Sequence, residues 1–180
     1  MDWVGPATVY VMWVACQCGR RHFGPYGAAG LILRNADGHL LMTHRSEFVH
    51  FGGTWSFPGG AIEEGETPVD AAVREVGEEL GIPSVAVDVV TTLAGLDHGV
   101  WRYTYVLADL NPQWSELELR VNWEATDVAW VQPSDMIVMT LHPDLRNDLD
   151  RLFTMLAAAD QASPPIQHAL DAGTTDALSP

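Results

Sequence analysis

Residues 59–83 constrain this chain more than any other stretch of it. Thr67-Pro68-Val69-Asp70 carries the marks of a helix start. Thr67 can cap the first free amides, Pro68 occupies a position where no amide hydrogen is needed, and Asp70 completes a capping box beside the positive end of the helix dipole. Val69, Ala72, Val73, Val76 and Leu80 then recur at the helical period, and Gly81 followed by Pro83 stops the run. A helix with one apolar stripe has to be buried against another layer, and the flanking segments supply strands for it.

Residues 8–15 and 28–33 are short apolar or β-branched runs, and Asn35-Ala36-Asp37-Gly38 is a turn signal leading into residues 39–44, which together predict a hairpin. Residues 46–60 form a loop with four glycines and four aromatics, a composition that carries function when it lies beside a rigid scaffold. Further strands are expected at residues 85–93, 100–108 and 127–131. A last helix is expected at residues 143–158, with Leu145, Leu149, Leu152 and Leu156 on one face. The order predicts an α/β chain with one domain over residues 1–160. Residues 161–180, rich in Ala, Ser, Pro, Thr and Gly, read as a disordered tail.

With 47% hydrophobic and 18% charged residues, 180 residues can bury one sizeable core. The formal net charge of −15 repels a nucleic-acid backbone and excludes a polynucleotide partner, whereas a small anionic ligand is admissible where cations reverse the local sign. No apolar run approaches the roughly 20 residues of a membrane-spanning helix. The apolar stretch at residues 8–16 follows Asp2 and precedes Arg20-Arg21, the reverse of a secretory layout, so a cytoplasmic protein is expected. Cys16 and Cys18 stand too close for an ordinary disulfide. Cys16-Gln17-Cys18-Gly19 with His22 resembles half of a zinc ribbon whose second cysteine pair is missing, so inert or redox-sensitive thiols are the expectation and a structural zinc the alternative.

The chemistry concentrates at residues 63–79, where Glu63, Glu64, Glu66, Asp70, Glu75, Glu78 and Glu79 face a single Arg74. A run of like charge usually means a solvated face. Here Glu75, Glu78 and Glu79 stand at i, i+3 and i+4 and converge beside the apolar stripe, where their mutual repulsion destabilises the helix unless cations neutralise it. Oxygen ligands of this kind select Mg²⁺ or Mn²⁺, and a glycine-rich loop just before the helix can add a carbonyl ligand and admit a phosphate closely.

Gly60, Glu66, and the run Arg74-Glu75-Val76-Gly77-Glu78-Glu79-Leu80-Gly81-Ile82 at their observed spacing resemble a complete Nudix box, preceded by Trp55-Ser56-Phe57-Pro58-Gly59-Gly60. A chance match at its nine fixed positions is on the order of 10⁻¹⁰ per window, so the motif is specific. The resemblance implies a Nudix α/β/α sandwich with a mixed central sheet. It makes Glu75, Glu78 and Glu79 metal ligands together with the Gly59 carbonyl. Arg74 would pair with Glu66 to hold the loop against the helix. Glu124 would add a carboxylate from a later segment, with Glu116 and Glu118 behind it. Two or three Mg²⁺ ions, or Mn²⁺ in their place, would bridge phosphate oxygens and activate a water, with Glu75, Glu78 or Glu124 taking its proton.

Mutator-type members of the family place a phosphate-binding arginine where Arg45 stands; an ordinary surface arginine is the alternative. Trp55 and Phe57 are further substrate-binding candidates. Trp55, Phe48 and Phe51 either stack on a base or close the core beneath the loop. His44 and His50 read as loop or core-edge histidines. The resemblance implies a small-molecule nucleotide substrate and a monomer or homodimer. Nucleoside triphosphates or their oxidised forms come first, cleaved to monophosphate and pyrophosphate. ADP-ribose or nucleotide-sugar hydrolysis is the alternative, as is a non-catalytic nucleotide-sensing module. The family's ADP-ribose specialists carry a proline, and its dinucleoside polyphosphate specialists a tyrosine, where this chain reads Gly95-Leu96-Asp97-His98-Gly99.

Overall fold

The computed structural model describes residues 13–16 and 19–162. Most of the expected strand at residues 8–15, Cys18, and the tail from residue 163 lie outside them. In chain order the elements are β1 (Trp13–Ala15), β2 (Arg21–Phe23), β3 (Ala28–Arg34), β4 (Leu40–Arg45), β5 (Trp55–Ser56), β6 (Gly59–Ala61), α1 (Pro68–Leu80), β7 (Val87–Asp97), β8 (Arg102–Leu110), β9 (Ala125–Val131) and α2 (Pro143–Ala162).

Asn35 makes the expected first turn, its side-chain oxygen accepting the amides of Asp37 at 3.1 Å and His39 at 2.9 Å. β3 and β4 nevertheless pair only at Arg34 and Leu40 and then splay apart. β3 pairs in parallel with β8 from Ala28 opposite Tyr103 to Arg34 opposite Asp109, and β8 pairs antiparallel with β7. β4 takes β9 and β5 as antiparallel partners. β6 fits against the start of β3, Gly30 opposite Gly59 and Ala29 opposite Gly60. The mixed sheet expected for the fold is therefore present, opened in the middle, with the Gly59-Gly60 strand set at the opening. β1 and β2 form a separate two-stranded hairpin.

Alternation along the central strands fills two cores. Leu31, Leu33, Val106 and Ala108 meet Ala71, Ala72, Val76 and Leu80 of α1. Ile32, Tyr105 and Leu107 meet Leu145, Leu149, Leu152 and Leu156 of α2. Two helices thus cover opposite faces of one sheet.

Differences from the expected boundaries have local causes. Ser84–Ala86 forms a 3₁₀ turn, so the strand expected from residue 85 begins at Val87. Asp97 accepts the Gly99 amide at 2.8 Å, which makes residues 98–101 a turn and delays β8 to Arg102. α2 runs to Ala162, past the expected domain limit at residue 160, and Asp160 pairs with Arg34, which also holds Asp109 at 2.8 Å. No described helix is long and apolar enough to cross a membrane.

Candidate active site

The start of α1 is built as the sequence requires. The Thr67 hydroxyl accepts the Asp70 amide at 3.2 Å and the Asp70 carboxylate accepts the Thr67 amide at 3.3 Å. At the other end, Gly81 caps the helix with its amide on the Gly77 carbonyl. The carbonyls of Glu79 and Leu80, which no helical amide can reach, accept the amides of Asn122 at 3.0 Å and Arg120 at 3.1 Å. That docking fastens residues 120–124 to the end of α1. Asn122 then accepts the Glu124 amide at 2.8 Å, and the Glu124 carbonyl accepts the Ser46 amide at 2.8 Å. Glu124 is thereby fixed between α1 and the end of β4.

Arg74 is paired with Glu66. Its guanidinium grips both oxygens of Glu66, at 2.9 and 3.0 Å, donates to the Ala61 carbonyl at 3.0 Å and to Glu75 at 2.9 Å, and lies 3.7 Å from Glu78. One planar fork therefore ties the loop, β6 and the carboxylate face of the helix together. The Glu66 hydrogen bonds to Arg74 hold its carboxyl below the usual range.

Glu75, Glu78 and Glu79 differ in their surroundings. Glu78 is 61% exposed, whereas Glu79 lies on the buried face of α1, 7% exposed, accepting the Gly59 amide at 3.3 Å. Burial above all pushes the Glu79 carboxyl up to about 8, with Glu75 and Glu124 adding to the rise against the Gly59 hydrogen bond and Arg45. Burial likewise raises Glu75, opposed by Arg74 and reinforced by Glu78 and Glu124. The field of Glu124 thus reaches both carboxylates, and that of Arg45 reaches Glu79. Arg45 is pulled below its ordinary value by burial, against Glu79, Tyr103 and Glu124, and its Nε donates to the His50 carbonyl at 2.9 Å.

Two glycines shape the approach. A Cβ on Gly59 would sit 2.2 Å from the Ala29 carbonyl oxygen, and one on Gly60 would fall 2.4 to 2.8 Å from the carboxyl atoms of Glu75. Gly60→Ala should therefore push Glu75 aside and lower kcat about tenfold at saturating Mg²⁺ while the far-ultraviolet circular dichroism stays unchanged. Steady-state kinetics across a Mg²⁺ titration checks it, and an unaltered kcat would mean that Glu75 has room to move without consequence.

Of the other sequence candidates, Phe57 is corrected: at 4% exposure it belongs to the second core, edge-on to Tyr105 with centroids 6.2 Å apart, and offers no face to a substrate. Trp55 is half-buried on the same core with His44 at 5.1 Å, and Phe48 is 87% exposed. His44 contacts the Thr126 hydroxyl at 2.7 Å, and His50 lies against Phe51. Glu118 is exposed and pairs with Arg120 at 3.2 Å; Glu116 is exposed as well.

Sequence reasoning missed Tyr103 on β8. Burial raises its hydroxyl above the usual value, with Glu79 adding to the rise and Arg45 opposing it, so it stands beside both. Nothing in the local sequence marks it; only the parallel β3–β8 register brings it there.

The cluster of Glu75, Glu79 and Glu124 suits a cation on the chemistry of its donors. All are oxygens, two are largely buried, and the one guanidinium bonded to them is committed to Glu66. Such carboxylates keep their charge only when a hard divalent ion offsets the burial.

The NUDIX domain model matches residues 25–156. The chain belongs to the Nudix family. A putative 8-oxo-dGTP diphosphatase of Mycobacterium tuberculosis is 37% identical over 159 residues, which cover 83% of this chain and 72% of that protein. A nucleoside triphosphate pyrophosphatase/Nudix hydrolase fusion protein of Bifidobacterium longum is 35% identical over 150 residues, which cover 80% of this chain. The match spans only 31% of the fusion protein. The crystal structure of the Nudix hydrolase RenU of M. smegmatis superposes with a TM-score of 0.74 at 35% identity, covering 82% of this chain and 95% of that one. Family and fold make the chain a Nudix hydrolase, and members of the family generally use a divalent metal such as Mg²⁺.

Proposed function

We propose that this Nudix hydrolase cleaves nucleoside triphosphates, or their oxidised forms, to nucleoside monophosphate and pyrophosphate with Mg²⁺, or Mn²⁺ in its place. The observation that carries the reading is that Gly59 and Gly60 lie directly against the carboxyls of Glu79 and Glu75, on which the charge of Glu124 also acts, with Arg45 acting on Glu79. The name of the M. tuberculosis relative, a putative 8-oxo-dGTP diphosphatase, supports it.

Glu75, Glu78, Glu79, Glu124 and the Gly59 carbonyl would hold the cations. When bound there, they supply positive charge that offsets the phosphates and lowers the pKa of an attacking water. The chain's own residues do the positioning. Arg74 and Glu66 fix the loop and orient Glu75, whose carboxylate takes the proton in this reading. Arg45 meets a phosphate, and Trp55 meets a base, Phe57 being accounted for in the core.

The experiment is a chromatographic screen of products with Mg²⁺ across nucleoside triphosphates, 8-oxo-dGTP, ADP-ribose, nucleotide sugars and dinucleoside polyphosphates. The proposal expects triphosphates to be turned over fastest; a preference for ADP-ribose would overturn it. Arg45→Ala should raise KM for the preferred triphosphate by about ten- to a hundredfold with a smaller change in kcat, the loss of one charge-assisted contact made in ground and transition state alike. An unchanged KM would return Arg45 to a structural role through its bond to the His50 carbonyl.

A further inference from the structure

Away from the carboxylate cluster, the structure gathers three side chains whose chemistry is of another kind. Cys16 follows β1, His22 lies in β2, and His98 stands in the turn between β7 and β8. Their ligand atoms, one thiol sulfur and two imidazole nitrogens, all lie within 4.8 Å of one another. The sequence offers only Cys16, Cys18 and His22 at this end of the chain; the fold brings His98 to them from a distant turn.

The geometry points to a Zn²⁺ site formed by Cys16, His22 and His98, which fastens the β1–β2 hairpin to the β7–β8 turn. Thiolate and neutral imidazole are the donors that a borderline-soft ion prefers, and they do not suit Mg²⁺. Zinc bonds of about 2.0 to 2.3 Å put tetrahedral donors roughly 3.3 to 3.7 Å apart, so about an ångström of side-chain closure would bring the three donors to bonding distance, the fourth position falling to water.

The two rings are already held near that position. His22 is 8% exposed, stacked at 4.3 Å on Trp101, with His98 at 4.8 Å. Trp101 is in turn fixed by its indole N–H on the Phe23 carbonyl at 2.9 Å. A second set of contacts of this sort is what orients metal ligands before the ion arrives.

A physical need for the tie exists as well. Among the described residues β1 and β2 have three residues each and pair with no other strand, and a short hairpin by itself is marginal in water. The hairpin also forms one wall of an open cleft of about 560 Å³ lined by Trp13, Arg20, Arg21, His50, Phe51 and Asp144. Cys16 and His22 precede the residues matched to the NUDIX domain, so the tie would be an addition to the family's domain.

The test is metal content by inductively coupled plasma mass spectrometry on the full chain, loaded with Zn²⁺ and dialysed against Mg²⁺ buffer. Wild type is expected to keep about one zinc per chain, with Cys16→Ser and His98→Asn each falling below about a fifth of that. Glu79→Gln should keep its zinc. Should Cys16→Ser fold poorly, Co²⁺ replacement in wild type and His98→Asn gives the same answer, through a thiolate-to-cobalt charge-transfer band present in the first and lost in the second. Zinc absent from wild type, or zinc kept by Cys16→Ser and His98→Asn and lost from Glu79→Gln, would overturn the site.

Discussion

Glu79→Gln is expected to lower turnover at least about a hundredfold and, in the absence of metal, to make the protein more stable at alkaline pH. The two effects share one cause. Glu79 is nearly sealed from water, and burial moves its carboxyl up to about 8 from the ordinary 4.5. A carboxyl whose folded pKa is raised contributes its full share of stability below the unfolded value, and that share is lost as pH rises through the folded value. Metal-free wild type should therefore lose stability between about pH 4.5 and 8. Glutamine keeps an oxygen for the Gly59 amide without the charge, so the variant should lack that loss. Millimolar Mg²⁺ should raise the melting temperature of wild type at pH 8 much more than that of the variant, since an ion that binds the folded cluster also relieves its repulsion. Glu78→Gln provides the contrast: turnover falls comparably through loss of a cation ligand, while this largely exposed side chain leaves the buried carboxyl of Glu79 in place. Thermal melts across pH with and without Mg²⁺ read both variants. Equal profiles for wild type and Glu79→Gln would refute the buried-charge account.

Arg74→Ala should cost about 2 to 3 kcal/mol of stability along with most of the activity, because it leaves Glu66, Glu75 and the Ala61 carbonyl without a shared donor at once. Arg74→Lys restores the charge without the planar fork and should recover only part of the loss. The pH dependence is opposite to that of Glu79. Glu66 is held below its ordinary value by Arg74, so its contribution is present above the unfolded pKa of 4.5 and disappears as pH falls through the lower folded value. Wild type should accordingly lose more stability than Arg74→Ala on acidification below about pH 4.5. Urea denaturation at pH 7 and pH 3 measures it, and identical acid limbs would show that the pair contributes nothing beyond geometry.

The parts of this molecule legible in its sequence are those that local rules control. The Thr67–Asp70 capping box, the stop at Gly81, the Asn35 turn and the leucine face of α2 all depend on residues near one another in the chain. The Arg74–Glu66 clasp came instead from the resemblance to the Nudix box. Long-range register was not legible. Tyr103 reaches Glu79 only because β8 lies parallel to β3, and His98 reaches His22 only because the β7–β8 turn folds back over β2. Phe57 was misjudged because an aromatic beside a glycine-rich loop has the same local signature whether it faces a ligand or the core. Glu124 could be named from the resemblance as a carboxylate of a later segment, yet what holds it is the docking of residues 120–124 on the carbonyl end of α1, a contact without any sequence signal.

The most direct test of the central claim follows oxygen through the reaction. Carboxylates on one short helix would hold their cations close together, and the resemblance to mutator-type members of the family implies a break between the α and β phosphates of a nucleoside triphosphate, with water attacking the β phosphorus. Hydrolysis in ¹⁸O-labelled water, followed by mass spectrometry of the products, should give nucleoside monophosphate and pyrophosphate with the label in the pyrophosphate. Nucleoside diphosphate with labelled orthophosphate, or label in the monophosphate, would contradict it.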